Sequence, residues 1–262
     1  MADLFTSLVS ISSNKSEINR TQVPGMSPVM KDGIWNERAV APTYRSVLYE
    51  NLAAYYKLDG NALDALGVHN GTGYGAWGAA SPPGYYVAGK LGQAFSMTPG
   101  EALQTPFDGW HQTRIDISPV IALGTSWSIS AWIKFGGTGT SGADQVINHS
   151  PSGYGLRAQL GLPMTFDGTG FANTALGTGW NHLVVTYDTS TIRYYLNGVA
   201  DGTYVTSYPM VTPMYIDRMF SSQFDRVPRS QVLDEAGVWT RTLSLSEVVE
   251  INNGGAALAF PF

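Results

Sequence analysis

The stretch SWSISAWIKF, Ser126–Phe135, alternates without a break. Trp127, Ile129, Ala131, Ile133 and Phe135 fall on one side of an extended chain. Ser128, Ser130, Trp132 and Lys134 fall on the other. Successive side chains of a strand point to opposite faces, so this pattern predicts a strand with one face in a core. Neighbouring stretches repeat the signal. WNHLVVTYD (Trp180–Asp188) reads as a second strand, and LAAYYKLDG (Leu52–Gly60) as a short strand ending in a turn. MYIDRMF (Met214–Phe220) and VLDEAGVWT (Val232–Thr240) read as two more. TIRYYLNGVADGTYVTS (Thr191–Ser207) reads as a hairpin, because Asn197-Gly198 supplies the two positive φ angles of a tight type I′ turn. Many short strands separated by Gly-rich loops predict an all-β, two-sheet sandwich.

One segment departs from that pattern. In DEAGVWTRTLSLSEVVEINNGG (Asp234–Gly255) a strand gives way to a short helix. Ser244 and Glu247 have the spacing of a capping box, and Leu243 and Val248 that of a hydrophobic staple. Leu245, Val248 and Val249 are expected as the buried stripe, with Gly254 as the C-terminal stop.

Composition narrows the function classes. Of 262 residues 44% are hydrophobic, enough for a substantial core, and no apolar run approaches the ~20 residues of a membrane-spanning helix. Charged residues are only 13%, while Gly (30), Tyr (14) and Trp (7) are plentiful, which suits β structure with tight turns. The net charge of −5 argues against a nucleic-acid partner, which wants a basic face. Without cysteine there is no disulfide and no thiolate zinc site. The start, MADLFTSLVSISSNKSEINR, lacks a basic n-region and a long apolar core, so it does not read as a signal peptide. Synthesis and folding in a cytoplasm are expected.

Residues 1–50 differ from the rest. TQVPGMSPVMKDGIWNERAVAPTYRS (21–46) scatters Val23, Met26, Val29, Met30, Ile34 and Trp35 among prolines and charges, with no persistent period of 2 or 3.6. A flexible terminus is one reading. Disordered tails are poor in such residues, however, and the sharper expectation is an extended arm that docks these six on a partner or a neighbouring subunit. Residues 51–262 then form the sandwich domain.

Five pieces in order, AAYYKLDGNALDALGVHNGTG (53–73), GKLGQAFS (89–96), SWSISAWIKF, WNHLVVTYDTSTIRYYLNGV (180–199) and LDEAGVWTRTLSLSEVVEINNGG (233–255), resemble a laminin-G-like domain of the concanavalin A-like lectin/glucanase superfamily. The resemblance covers roughly residues 50–256. It implies a jelly roll of two antiparallel sheets, one concave and one convex, closed by an Asp-Glu strand and a short helix. The N-terminal arm has no counterpart in the family pattern.

Several candidate sites follow. The resemblance raises calcium, and hard cations want several oxygen ligands. Asp59, Asn61 and Asp64 in the first loop and Asp234 and Glu235 in the last strand could converge, since first and last strands of such sandwiches are often neighbours. The alternative is that the loop acids bond their own backbone and that Asp234 or Glu235 pairs with an arginine such as Arg241. Glycan stacking needs exposed rings, and two Gly/Pro-rich loops offer them: Tyr74, Trp77, Tyr85 and Tyr86 in one, Trp110 and His111 in the other. The same rings could instead fill the sandwich or pack on a protein. Glucanases of this fold carry alternating acids on one strand, and none is present; the adjacent acids of Leu233–Gly237 would point to opposite faces. No catalytic residue is assigned. The four histidines form no metal-binding pair, and GTGTSG (137–142) lacks the Lys of a phosphate loop.

These readings together predict a non-catalytic structural or interaction protein of an assembled particle, a phage virion component such as a capsid decoration or tail protein, anchored by its arm. A virion protein is made in the host cytoplasm yet works outside, which reconciles a lectin-like domain with the missing signal; a cell-surface or extracellular location is the alternative. The expected partners are other virion proteins, copies of itself, or a glycan, with neither nucleic acid nor membrane. The alternative function is a carbohydrate-binding module, with or without calcium, using the concave sheet or the aromatic loops. A glycoside hydrolase is the remote one.

Overall fold

The computed structural model describes residues 26–31, 34–39, 46–74, 85–96, 114–136, 144–148, 155–166, 169–206, 214–221 and 230–262. The chain divides into two units, Met1–Arg45 and Ser46–Phe262. In the first, β1 (Met26–Lys31) and β2 (Ile34–Ala39) pair antiparallel, from Met26 opposite Ala39 to Lys31 opposite Ile34. A hairpin thus replaces the extended run expected there. The missed signal is Asp32-Gly33, a dipeptide suited to a two-residue hairpin loop. Of the six proposed docking residues, Met26, Val29 and Met30 lie in β1 and Ile34 and Trp35 in β2, while Val23 lies outside the described residues.

The second unit opens with β3 (Leu52–Tyr56), β4 (Asn70–Tyr74), β5 (Tyr86–Ala88) and β6 (Gln93–Ser96). The long strands β7 (Arg114–Leu123) and β8 (Ser126–Gly136) follow, then the shorter β9 (Asp144–Asn148), β10 (Gly155–Ala158), β11 (Pro163–Phe166) and β12 (Thr169–Ala175). β13 (Gly179–Asp188), β14 (Thr191–Leu196), β15 (Val199–Val205), β16 (Met214–Ser221) and β17 (Ser230–Trp239) complete the strands, before helix α1 (Leu245–Asn252). Two antiparallel sheets form the sandwich expected from the sequence. One runs β12-β11-β10-β9-β16-β7-β4, and the other runs β15-β14-β13-β8-β17-β6-β5 with β3 also on β17.

The core between the sheets is built by the predicted alternation. Trp127, Ile129, Ala131, Ile133 and Phe135 of β8 are all buried, facing Ile115, Ile117, Ile121, Met214, Ile216 and Met219 of the other sheet. Each large apolar side chain so buried contributes about 1.5–3 kcal/mol relative to exposure. At the predicted hairpin Leu196 pairs with Val199, and Asn197 and Gly198 take φ of 52° and 81°.

The other face of the eight-stranded sheet is also covered over its middle. Tyr55, Val184, Tyr195 and Trp239 pack there with Leu243, Val248 and Ile251, and with Phe260 and Phe262 near the C-terminus. Trp132 is 2% exposed; its ring stacks on His182 at 4.9 Å and lies under Lys90 Nζ at 4.5 Å. This second core explains the closing helix. Ser244 accepts from the Glu247 N–H and Glu247 reaches back to the Ser244 N–H, the predicted capping box. The predicted stripe is shifted: Val248 and Ile251 are buried, while Leu245 and Val249 are half exposed. Asn253, at φ 47°, rather than Gly254, is the left-handed C-cap.

Candidate functional site

The residues expected as a metal set make hydrogen bonds within the chain. Asp64 accepts the backbone N–H groups of Tyr55, Leu66, Val68 and His69, so its carboxylate shapes the loop after β3. Asn61 Oδ1 accepts from the Leu63 N–H, and Asp59 accepts from the Gln93 N–H at 2.7 Å. Arg241, one expected partner of Asp234 or Glu235, instead pairs with Glu247. Among the described residues no three acidic or histidine side chains gather as a metal-holding group.

Asp234 and Glu235 sit at an irregularity. β17 pairs with β6 through Val232 and Leu233 and with β3 from Ala236 onward, so its neighbour changes at this point. Opposite β8, the register shifts between Asp234 and Gly237, and Glu235 takes φ 46°. An extra residue in one strand breaks the alternation assumed from sequence, which would have put these acids on opposite faces. Both are buried. Asp234 Oδ2 accepts the N–H groups of Lys90 (2.7 Å) and Leu91 (3.0 Å), and Oδ1 accepts the Glu235 N–H. This contact accounts for the Gly-Lys-Leu-Gly stretch, since a Cβ on Gly89 would stand 2.7 Å from Asp234 Oδ2 and 2.5 Å from the Leu91 carbonyl oxygen. Tyr55 donates to Glu235 Oε2 at 2.6 Å. Burial pushes the Asp234 carboxyl up to about 8, with Glu235 adding to the rise and the N–H donors opposing it. Burial likewise pushes Glu235 up to about 7, against the Tyr55 hydrogen bond.

A serine–histidine contact also proves structural. Ser130 Oγ lies 2.9 Å from His182 Nε2, but both are buried, and among the described residues no partner reaches Nδ1. Burial drives the His182 pKa down to about 3. A general base needs access to a substrate proton, and this imidazole has none.

The aromatic candidates divide. Tyr85 is 5% exposed, belongs to the core and stacks on Phe95, so it is not a surface ring. Tyr86 is half-buried, edge-on to Phe95 at 5.4 Å. Trp77, Trp110 and His111 lie outside the described residues. Tyr74 closes β4, half-buried, with the Arg114 guanidinium 4.7 Å from its ring centroid.

Tyr74 lies beside an outward row of polar groups on the seven-stranded sheet. Its strands bring Thr72 opposite Asp116, Asp116 opposite Arg218, Arg218 opposite Asn148, and Asn148 opposite Gly155. Tyr74 opposite Arg114 begins the next row. Ile115, Ile147 and Met219, the alternate positions, are buried in the core, which places the polar row outward. Arg114 Nε donates to both carboxylate oxygens of Asp116 at 2.9 and 3.0 Å, and Arg218 Nε donates to Oδ1 at 2.9 Å. One acid thus fixes two guanidinium planes. The Asp116 and Arg218 side chains are 32% and 23% exposed, whereas Arg114 and Asn148 are buried. Gly155 leaves no room for a side chain at the buried end of the row, because a Cβ there would stand 2.3 Å from the Ile147 carbonyl oxygen and 2.5 Å from Asn148 Cβ. Planar donors and acceptors fixed on a rigid sheet beside a tyrosine ring are suited to bonding adjacent hydroxyls.

Of these residues only Tyr74 is among those expected from the sequence. The signal was present in RIDIS (Arg114–Ser118), where Arg114, Asp116 and Ser118 alternate with Ile115 and Ile117. Arg218 and Asn148 could not be added, because strand order is not written locally.

Such a sandwich with a polar outer face is of the lectin type. Residues 109–249 match the family model described as concanavalin A-like lectin/glucanases superfamily, of the laminin G type 3 kind. The match spans more than half of the chain, and the protein belongs to that superfamily. No curated protein sequence matches it significantly. Solved structures share the fold at low identity. Domain 4 of AbnA, a GH43 extracellular arabinanase from Geobacillus stearothermophilus solved with arabinotriose, is 18% identical, with a TM-score of 0.57 over 76% of this chain and 97% of that one. The binding domain of Paraclostridial Mosquitocidal Protein 1 is 14% identical, TM-score 0.57, over 78% and 52%. The botulinum neurotoxin serotype D ligand binding domain, solved with N-acetylneuraminic acid, is 13% identical, TM-score 0.53, over 78% and 51%. The chain spans about half the length of the toxin domains it matches.

Proposed function

We propose that the sandwich is a non-catalytic carbohydrate-binding module whose ligand lies on the outer face of the seven-stranded sheet. The observation that carries this reading is the cross-strand row Thr72–Asp116–Arg218–Asn148, where one carboxylate holds two guanidinium groups in fixed planes beside Tyr74. The family and the neighbours support it: the AbnA domain was solved with arabinotriose, the serotype D ligand binding domain with N-acetylneuraminic acid, and the mosquitocidal protein neighbour is a binding domain. A glycan array probed with the intact chain and with Asp116→Ala tests it. Hits that fall at least tenfold in the variant are expected; no hits, or hits indifferent to Asp116, would overturn it.

A second reading concerns where the module works. It is a component of an assembled particle such as a phage virion, fastened by the residues before Ser46. The division of the chain at Arg45 and the separate hairpin Met26–Ala39 support this. Deleting residues 1–45 should abolish incorporation into the particle while leaving glycan binding intact; unchanged incorporation would contradict it.

A further inference from the structure

We propose that the ligand of this face is an extended oligosaccharide chain that crosses the strands and stacks its far end on the ring of Phe171. The inference rests on the reading of the polar row as a glycan surface and adds the length and the direction of the glycan. Three observations carry it.

The first is the face on which Phe171 stands. It lies on β12, which ends the seven-stranded sheet among the described residues, opposite Thr165 of β11; Thr165 in turn stands opposite Arg157 of β10. The residues alternating with these, Ala172, Met164, Phe166, Leu156 and Ala158, are buried in the core between the sheets. Adjacent side chains of a strand point to opposite faces, so Phe171, Thr165 and Arg157 point outward. Gly155, two residues before Arg157 on the same strand, stands opposite Asn148. This second row therefore continues the surface that carries the polar one.

The second is exposure. Phe171 is 59% exposed, and the contact of this strand with the core is made by its neighbour Ala172. The ring is thus not held by packing, and a flat apolar face is presented to solvent. Single exposed apolar side chains are ordinary on protein surfaces; this one is marked by its place. Tyr74, on β4 at the opposite end of the same sheet, also points outward, beside the Arg114 guanidinium. The face carries a ring at each end with polar groups between, the pattern of a surface that stacks sugar rings and bonds their hydroxyls.

The third is span. In the order β12-β11-β10-β9-β16-β7, Phe171 stands five inter-strand steps from Asp116. At ~4.8 Å per step the separation is about 24 Å, further than a mono- or disaccharide reaches. One ligand that touches both is a chain of sugars laid across the strands, passing Arg157 on the way.

The test is isothermal titration of the intact chain with linear arabino-oligosaccharides and cello-oligosaccharides, each from the disaccharide to the hexasaccharide. Wild type, Phe171→Ala and Phe171→Tyr are compared, each checked for an unchanged thermal midpoint. In at least one series the affinity should rise tenfold or more from the disaccharide to the hexasaccharide. Phe171→Ala should bring the hexasaccharide back to the affinity of the disaccharide and leave the disaccharide unchanged, and Phe171→Tyr, which keeps a ring, should retain the gain. Equal affinity for short and long members, with Asp116→Ala still abolishing binding, would overturn the extended ligand and leave the glycan surface standing. A gain with length that Phe171→Ala does not touch would overturn the role of the ring. Sedimentation that shows wild type as an oligomer and Phe171→Ala as a smaller species would assign the ring to a protein contact and overturn the proposal as well. Binding to no glycan of any kind would overturn both this inference and the glycan surface.

Discussion

Asp116 and Arg218 stand opposite each other on adjacent antiparallel strands, 102 residues apart in sequence, with Arg218 Nε 2.9 Å from Asp116 Oδ1. The same carboxylate accepts from Arg114 on its own strand. Asp116 and Arg218 are partly exposed, so their pair is worth little to stability, on the order of 0–1 kcal/mol. Asp116→Ala should therefore leave the urea midpoint almost unchanged while glycan affinity falls tenfold or more. Loss of folding together with binding would mean that the row is a structural clasp.

Asp234 should behave in the opposite way. It is buried and holds the turn before β6 through the Lys90 and Leu91 N–H groups. Asp234→Ala leaves those donors without their acceptor, at a cost of roughly 2–4 kcal/mol. Chemical denaturation should show a drop of that size, with glycan affinity per folded molecule preserved. A change under 0.5 kcal/mol, on the order of a neutral surface substitution, would contradict the bonding described.

Glu235 gives a pH-dependent signature. Its folded pKa is about 7 against an ordinary 4.5, so between these values the unfolded chain binds fewer protons than the folded one. Stability from this group is full at pH 4 and declines as pH rises toward 7 and above. Asp234, raised to about 8, has the same sign. Glu235→Gln keeps an acceptor for the Tyr55 hydroxyl and removes the charge. The variant should match wild type near pH 5 and exceed it at pH 9; a gain at acid pH instead would refute the burial assignment.

His182 has the opposite sign. It is buried neutral, with a folded pKa near 3 against an ordinary 6.5, so the unfolded chain binds an extra proton in between. Its contribution is full above pH 6.5 and lost as pH falls toward 3, by at most about 1.4 kcal/mol per pH unit. In NMR titration of the folded protein its ring resonances should not move between pH 8 and pH 5. A midpoint near 6.5 would show the ring to be solvated.

The helix cap supplies a calibrated check. Ser244→Ala removes the acceptor of the Glu247 N–H and should cost about 1 kcal/mol in thermal or chemical unfolding. An effect near zero would mean that Arg241, which also grips Glu247, holds the helix start without the serine.

Much of the fold was legible in sequence because its signals are local. Strict alternation at Ser126–Phe135 set one strand and its buried face, Asn197-Gly198 set a hairpin, and Ser244 with Glu247 set the helix start. What failed depended on contacts made at a distance. The bulge at Asp234–Gly237 forms where β17 exchanges one neighbour for another, which no window along the chain reveals. The helix buries Val248 and Ile251 rather than Leu245 and Val249 because the second core chose the face. The polar row escaped for the same reason: Thr72, Asp116, Arg218 and Asn148 come from four strands whose order in the sheet does not follow the chain.

The measurement closest to the central claim is amide chemical-shift mapping of the intact chain titrated with arabinotriose and with trigalacturonic acid. The account predicts shifts concentrated at Thr72, Tyr74, Asp116, Asn148 and Arg218 with at least one of the two. Shifts confined to the Ala88–Gln93 turn or to α1, with this row silent, would contradict it.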